Sequence, residues 1–138
     1  MNNESVTGAL AVSNKENTLV AVCGLHMRGF PLEKQMLASG AFFVTEAVSA
    51  SKYQFVKLAT KPPKPGMIKQ TSGGAAVLLE VWEMPLVAFG AFVASIPAPL
   101  GFGKVELEDG LEVPGFICEG YASEGAEDIS AIGSWRKV

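Results

Sequence analysis

Short apolar runs that end at glycine or proline divide the chain and predict its strands. Residues 18–23 (TLVAVC) are almost wholly apolar and precede Gly24, which is typical of a central strand buried on both faces. Further strands are predicted over residues 41–49, 53–59, 67–70, 77–83, 104–107 and 111–116. Residues 61–66 predict a stiff linker instead, because their three prolines cannot donate to a strand ladder.

Proline at the start of an apolar segment predicts each of two helices. The first spans residues 31–39, where Glu33 suits the positive end of the helix dipole and Gly40 the C-terminal cap. The second spans residues 85–95 and carries a broad apolar stripe with almost no polar face. We therefore expect the second helix to be buried against the sheet.

The order of these elements predicts the fold class and the domain limits. Strands that follow one another through short connections, with two main helices, indicate an α+β fold with a mainly antiparallel, partly closed sheet. The polar residues 1–17 predict a flexible N-terminal arm, and residues 18–138 predict a single domain.

Composition and charge exclude several classes of protein. Among 138 residues, 49% are apolar and 18% are charged, which excludes intrinsic disorder. The net charge is 11 − 14 = −3 without a basic block, so neither a nucleic acid nor a membrane is expected as a partner. The N-terminus lacks the pattern of a signal peptide, and prolines interrupt the apolar stretch 84–102. These features predict a soluble, cytoplasmic protein.

The two cysteines predict neither a metal site nor a disulfide. Cys23 and Cys118 lie 95 residues apart and follow no metal-ligand spacing. We expect both to be small buried residues in a reducing compartment. Nothing in the sequence requires a metal ion or an organic cofactor.

The single histidine, His26, is the first candidate catalytic residue. It lies in a loop bracketed by Gly24 and Gly29, directly after the predicted buried strand, where functional groups are commonly placed. The imidazole suits proton transfer near neutral pH, and glycines let backbone N–H groups approach an anion. A surface or capping histidine is the alternative.

Glu80 is the second candidate catalytic residue, because it interrupts the apolar strand 77–83. If the face that it shares with Leu78 and Trp82 is the core, Glu80 is buried and its pKa should rise, as a general acid or base requires. The alternative is a glutamate at a sheet edge that reaches solvent or pairs with a lysine.

The loop 71–74 (TSGG) and the nearby lysines are weaker candidates for substrate binding. Gly73 and Gly74 resemble an anion-binding nest, although no helix follows in the register of a phosphate loop. Lys61, Lys64 and Lys69 could meet a carboxylated substrate, and solvated lysines explain them equally well.

Residues 22–32 (VCGLHMRGFPL) and several later segments occur in the order of a known family. The later segments are 62–66 (PPKPG), 73–76 (GGAA), 80–82 (EVW), 96–101 (IPAPLG), 103–107 (GKVEL) and 128–136 (DISAIGSWR). Together they resemble the C-terminal domain of allophanate hydrolases, over residues 18–136. The IPAPLG element and the closing Gly-x-Trp-Arg are the most specific parts of the resemblance.

The resemblance implies a γ-glutamyl cyclotransferase-like fold, a small mixed β-barrel with helices packed around it. In that wider group the loop after the first strand holds the substrate through backbone amides, and Gly24, Leu25 and His26 match this loop. Cyclotransferases also use a glutamate shortly after the second helix. Residues 95–100 (SIPAPL) contain no carboxylate, which speaks against cyclotransferase activity.

The resemblance also implies a reaction. In allophanate hydrolases an amidase domain releases ammonia, and the C-terminal domain is thought to decarboxylate N-carboxycarbamate with its loop histidine. Here the amides from Gly24 to Met27 would hold one carboxylate, with Lys69, Gly73 and Gly74 as further binding residues. His26 would then protonate the nitrogen as carbon dioxide leaves.

Three functions stay open, since the chain contains no amidase signature. The first is an enzyme that acts on a small carboxylated urea or carbamate. The second is a non-catalytic binding or oligomerisation module that forms a homodimer or partners a separately encoded amidase. The third is a cyclotransferase-like enzyme for another small amide, with Glu80 as its acid. Convergence of His26 and Glu80 on one pocket would favour an enzyme.

Overall fold

The computed structural model of the protein describes residues 10–138. Its two helices and eight strands confirm the α+β class. The helices are α1 (Glu33–Ala38) and α2 (Leu86–Ala94). The strands are β1 (Asn17–Val22), β2 (Phe42–Val48), β3 (Tyr53–Leu58), β4 (Lys64–Lys69), β5 (Leu78–Pro85), β6 (Leu100–Glu106), β7 (Glu112–Cys118) and β8 (Glu127–Asp128).

The strands form two sheets that are not closed into a barrel, so the predicted barrel is not confirmed. The larger sheet has the order β2-β5-β1-β7-β6, and the smaller has the order β4-β3-β8. Only the β1–β7 pair is parallel among the described strands. Where β4 passes β7, Gly66 packs directly on the Cys118 side chain. The two sheets therefore touch here through a side chain, and no backbone hydrogen bonds join β4 to β7.

The centre of the core is β1, as the apolar run predicts. Every residue from Leu19 to Cys23 is at most 9% exposed, because β1 lies in the middle of the larger sheet. Trp82 on the neighbouring β5 is also fully buried. The C-terminal end of β1 therefore leads from the densest part of the core directly into the loop that carries His26.

The predicted burial of the second helix is wrong. Phe92 is the one buried residue of α2, whereas Leu86 is 50% and Val87 is 95% exposed. The helix packs through a narrow stripe, in which Phe89 and Phe92 meet Phe102 edge to face. A helix without a polar face gives no sequence signal for the side that turns outward. Within residues 10–138, neither helix has the length and apolar character needed to span a membrane.

The predicted linker 61–66 is wrong in its second half, because β4 begins at Lys64 and includes Pro65. The strand lies at the edge of its sheet, where a proline is tolerated since its missing N–H costs no ladder bond. This early start of β4 brings Lys64 and Pro65 next to the loop after β1.

The segment before β1 is tied to β5 by a buried carboxylate. Glu83 is 2% exposed and accepts hydrogen bonds from the backbone N–H and the hydroxyl of Ser13 and from the Asn17 amide. Burial raises the pKa of Glu83, but these donors outweigh it and hold the pKa below its usual value. Residues 1–9 of the predicted flexible arm lie outside the described residues. Ser13 and Asn17, in the rest of that arm, are held in place by these hydrogen bonds.

Candidate functional site

A cavity of about 150 Å³ lies at the C-terminal end of β1. It is enclosed by the loop after β1, the face of α1, the start of β4 and the segment after α2. Its lining consists of residues 23–26, Leu32, Gln35, 64–65, 95–97, Leu100 and Phe116. The walls are largely apolar, and among residues 10–138 the lining includes His26 and Lys64 but no carboxylate.

The loop after β1 forms a turn that leaves two backbone donors available. The N–H of Met27 donates to the Gly24 carbonyl at 3.0 Å, which places Leu25 and His26 at the centre of the turn. The N–H groups of these two central residues donate to no acceptor within residues 10–138. Gly24, Leu25 and His26 therefore line the cavity, and two of them offer amide donors to a ligand.

The structure does not leave the Met27 amide available to a ligand, unlike the sequence prediction. Its N–H is already bonded within the turn, and its side chain is only 1% exposed in the core. The sequence showed a run of four loop residues but not the hydrogen bond that closes the turn.

Gly24 also permits a close approach between the loop and β4. A Cβ atom at this position would overlap the ring of Pro65. Because glycine has no side chain, β4 packs directly on the loop and Lys64 reaches the cavity. Gly24 therefore shapes the site through its backbone as well as lining it.

His26 is held by aromatic rings and by one hydrogen bond. Its ring is stacked on Phe116, with centroids 4.9 Å apart, and meets Phe92 edge to face at 5.4 Å. Nε2 lies 2.9 Å from Oε1 of Gln35 on α1. Because that oxygen is an acceptor, Nε2 carries the proton of the neutral ring and Nδ1 is unprotonated. The imidazole is thus fixed in position and in tautomer.

The environment of His26 favours its neutral form. Burial lowers the pKa of the imidazole most, the hydrogen bond to Gln35 raises it, and the nearby Lys64 charge lowers it further. The net effect is a pKa below the ordinary value. In the ligand-free site at pH 7, His26 is therefore uncharged and Lys64 supplies the positive charge.

Lys64 makes the cavity suitable for an anion. It is the one charged residue in the lining and forms no ion pair with the rest of residues 10–138. Apolar side chains such as Ile96 and Leu100 surround the remaining space. A cation and two amide donors in a partly enclosed apolar cavity attract a carboxylate more strongly than they would in water.

Glu80 is buried, which was one of the two alternatives, but it lies outside the cavity, and the pKa rise expected for a buried Glu80 is wrong. Oε1 accepts hydrogen bonds from the Arg28 N–H and the Trp82 indole, and Oε2 accepts from the side chains of Arg28 and Arg136. Burial raises the pKa of Glu80, yet these four donors outweigh it and hold the pKa below its usual value. Glu80 is thus an ionised, fully hydrogen-bonded group that does not meet His26 in one pocket.

The other predicted binding residues are also outside the cavity. Lys69 pairs with Glu106, its Nζ lying 2.8 Å from the carboxylate. Gly73 and Gly74 adopt positive φ in the loop after β4, where Gly74 packs against the backbone of Lys52 and Tyr53. Their backbone geometry serves a tight turn, so the structure does not bring these three residues to His26.

The cysteines are buried and unpaired, as predicted. Cys23 lies in the cavity lining, where burial, with a contribution from Cys118, raises the pKa of its thiol to about 12. The thiol is therefore protonated and inert at neutral pH. No group of three or more histidine, cysteine or acidic side chains within residues 10–138 is arranged to hold a metal ion.

Several lining residues had no predicted role, or only a weak one, from the sequence. Lys64 lies in the PPKPG segment and residues 96–97 in the IPAPLG segment, so both belong to the motifs of the family resemblance. Gln35 and Phe116 gave no such signal, because a polar residue on a helix and an aromatic residue in a strand are common in any fold. Only the packing of α1 and β7 around the loop identifies them.

Comparison with known proteins gives a consistent result. The sequence profile of a family described as the allophanate hydrolase C-terminal domain matches residues 18–138. A urea amidolyase of Saccharomyces cerevisiae is 39% identical over 122 residues, covering 85% of this chain and 7% of that protein. The structure of c4763, a uropathogenic E. coli-specific protein, is 40% identical with a TM-score of 0.82, covering 88% of this chain and 94% of that chain. Allophanate hydrolase of Kluyveromyces lactis is 35% identical with a TM-score of 0.83, covering 88% of this chain and 21% of that chain.

These comparisons identify the family and the fold. The chain spans a small part of urea amidolyase and of allophanate hydrolase but nearly all of c4763. A γ-glutamyl cyclotransferase that is 16% identical shares the fold alone, with a TM-score of 0.54 over 82% of this chain and 70% of that chain. The γ-glutamyl cyclotransferase-like fold is thereby confirmed. The chain belongs to the family of the allophanate hydrolase C-terminal domain.

Proposed function

We propose that the His26 cavity binds a small carboxylated carbamate or urea compound and promotes its decarboxylation. The observation that carries this proposal is the convergence of two available loop amides, the Lys64 ammonium and the His26 imidazole on one cavity. Its volume of about 150 Å³ is below the range of drug-sized ligand pockets, which favours a compact anion.

The family relationship supports a substrate connected with urea degradation. The matching relatives are a urea amidolyase and an allophanate hydrolase, and this chain corresponds to only a small part of each. Hydrolysis of the amide of allophanate releases ammonia and gives N-carboxycarbamate, a dicarboxylated amine of the required size and charge. We therefore take N-carboxycarbamate as the substrate.

The residues of the cavity suggest how the reaction would proceed. One carboxylate accepts hydrogen bonds from the N–H groups of Leu25 and His26 and lies near Lys64. The negative charge of the ligand raises the pKa of His26, so the imidazole takes up a proton on binding. As the C–N bond to the second carboxylate breaks, its electron pair stays on nitrogen, which accepts the proton from His26. The products are carbon dioxide and carbamate.

General acid catalysis of this kind accelerates a reaction by about 10²- to 10⁴-fold. The amides and Lys64 would contribute by holding one carboxylate, and with it the breaking C–N bond, in a fixed orientation to His26. Within the part of the chain that the structure describes, no carboxylate in the cavity lining would compete for the proton or repel the dianion.

The test has a binding part and a kinetic part. Malonate is a stable analogue of N-carboxycarbamate, and we expect calorimetry and a crystal soak to find it in the cavity of the wild-type protein. An amidase that cleaves allophanate would then generate N-carboxycarbamate in the presence of this protein, with carbon dioxide release as the readout. Loss of the acceleration in His26→Asn supports the proposal. Wild-type rates in that variant, or no malonate binding, would overturn it.

A role as an assembly module is the second candidate, and the surface of α2 favours it. Leu86 and Val87 are exposed, and Leu37 and Phe42 are further exposed apolar residues. Such residues suit a homodimer or contact with an amidase partner. Light scattering of wild type and Val87→Asp tests this role: a dimer that the substitution dissociates supports it, whereas an unchanged monomer and no association with an amidase would exclude it.

The structure gives no support to the cyclotransferase alternative, because its predicted general acid does not line the cavity. It required Glu80 near the substrate, and Glu80 is absent from the cavity lining. No other carboxylate in the described residues takes that place in the lining.

A further inference from the structure

The backbone N–H and the carbonyl of Arg28, two residues beyond His26, are both hydrogen-bonded to distant side chains. Its N–H donates to Oε1 of Glu80 at 2.9 Å, and its carbonyl accepts a hydrogen bond from Nη2 of Arg136 at 2.8 Å. The same Nη2 donates to Oε2 of Glu80 at 2.7 Å. Glu80, Arg136 and the Arg28 backbone thus form a closed ring of hydrogen bonds.

The side chains reinforce this ring. Nε of Arg28 donates to Oε2 of Glu80 at 2.9 Å, and its guanidinium lies 3.6 Å above the centre of the Phe43 ring. The guanidinium of Arg136 lies 5.2 Å from the centre of the Phe30 ring. Since Glu80 is only 1% exposed, loss of either arginine would leave a buried carboxylate with too few donors.

The two partners of Arg28 come from rigid parts of the fold. Glu80 lies on β5, which is paired on both sides by β1 and β2. Arg136 follows the buried Trp135, and its own N–H is capped by the Ser134 hydroxyl. The backbone-to-backbone hydrogen bonds of the loop, such as Met27 to Gly24 and Leu32 to Leu25, stay within the loop and its passage to α1. Among its side chains, His26 bonds to Gln35 on α1 and Arg28 also bonds to Glu46 on β2.

We propose that Glu80 and Arg136 are positioning residues for the His26 loop. By holding the Arg28 peptide from the sheet and from the last turn of the described chain, they determine where the Leu25 and His26 amides and the imidazole lie. The consequence for ligand binding rests on the function proposed above, whereas the consequence for the geometry of His26 does not. This role accounts for an ionised glutamate that is buried but outside the cavity.

The experiment uses the full chain and two readouts. Because His26 is the one histidine of the chain, its imidazole resonances can be followed by NMR against pH without ambiguity. Malonate affinity is measured by calorimetry on the same samples. The variants are Glu80→Gln, Arg136→Ala and Arg136→Lys. The matched control is Glu83→Gln, which alters a second buried carboxylate of the same strand that binds the segment before β1.

We expect Glu80→Gln and Arg136→Ala to shift the pKa of His26 back toward its ordinary value, since a loosened loop admits water. We also expect malonate to bind about 10- to 100-fold more weakly, because displacement of binding groups by about 1 Å costs this much. Arg136→Lys should restore part of both properties. Glu83→Gln should change neither, even though it lowers the melting temperature.

Wild-type titration of His26 in folded Arg136→Ala would overturn the proposal, as would equal effects of Glu83→Gln and Glu80→Gln. If Glu80→Gln does not fold, the two Arg136 variants decide the question. If wild-type protein does not bind malonate, the proposed function fails, but the His26 titration still decides whether Glu80 and Arg136 position the loop.

Discussion

The imidazole of His26 lies nearly flat on the ring of Phe116, with 25° between the two planes and 4.9 Å between the centroids. This stacking closes one side of the histidine to water, and Phe92 covers a second side. The result is a titratable group that is kept neutral by its burial and is hydrogen-bonded to Gln35 at Nε2. Its protonation state therefore depends on what enters the cavity.

The depressed pKa of His26 predicts a loss of stability on acidification. The unfolded chain binds a proton at His26 near pH 6.5, whereas the folded protein resists it, so the unfolded state is favoured as pH falls below that value. The stabilisation is complete above pH 6.5 and is lost as pH falls through the folded pKa. Urea unfolding of wild type and His26→Gln between pH 7.5 and 5.5 measures this. Parallel curves would show that His26 does not contribute, since the carboxylates titrate at lower pH.

Malonate binding should be coupled to proton uptake. An anion beside the imidazole raises the pKa of His26, so affinity should increase as pH falls from neutrality toward the pKa of the unliganded imidazole. Calorimetry in buffers of different ionisation enthalpy gives the number of protons taken up. His26→Asn should bind malonate without this uptake, and uptake that persists in the variant would assign it to another group.

Lys64, and not Lys69, should determine anion affinity. Removal of the Lys64 ammonium by Lys64→Met should weaken malonate binding about tenfold, because a charged hydrogen bond contributes about 1.5 kcal/mol or more. The matched control is Lys69→Met on the same strand, whose ammonium pairs with Glu106 outside the cavity. Equal losses in the two variants would mean that long-range charge alone controls binding.

Gly24→Ala should damage the site by overlap with Pro65. The added methyl group meets the proline ring, so we expect about 1–3 kcal/mol of destabilisation, as in other overpacked sites. Pro65→Ala in the same chain removes the ring atoms concerned and should recover part of the loss. Gly101→Ala is the control, since a Cβ there has no neighbour within 4 Å. Chemical denaturation of the wild type, Gly24→Ala, Pro65→Ala and the double variant gives the coupling energy, and additive losses would contradict the proposed contact.

Glu83→Ala should release the segment before β1 without altering the cavity. The substitution leaves the Ser13 and Asn17 donors without their acceptor, and we expect about 1–3 kcal/mol of destabilisation. Hydrogen exchange should become faster over residues 13–17 and stay unchanged at residues 24–27. Faster exchange in the His26 loop would show that the two regions are coupled.

The fold was largely predictable because its signals are local. The run 18–23 predicts a buried strand from its own composition, and Leu19 to Cys23 are buried. The division into two open sheets was not predictable. The hydrophobic pattern of a strand specifies neither which strand it pairs with nor whether the outer strands pair to close a barrel. The exposure of one side of α2 was also not predictable, because the helix is apolar on every side.

The site was predictable at its centre and not around it. The glycine-flanked loop identified Gly24, Leu25 and His26, because a buried strand followed by glycines is itself a local signal. The sequence did not distinguish Lys64 from Lys69, because the three lysines near β4 look alike in sequence. Their roles differ only because Gly24 lets β4 approach the loop at Lys64.

The sequence by itself determined the family, the α+β class and the loop that carries His26, since each depends on residue types in a fixed local order. The tertiary structure alone decided the role of Glu80. Its apolar neighbours in sequence predict a raised pKa, but Arg28 and Arg136, 52 and 56 residues away, fold onto its carboxylate and keep it ionised. Burial is encoded locally, whereas the partners of a buried charge are brought together only by the fold.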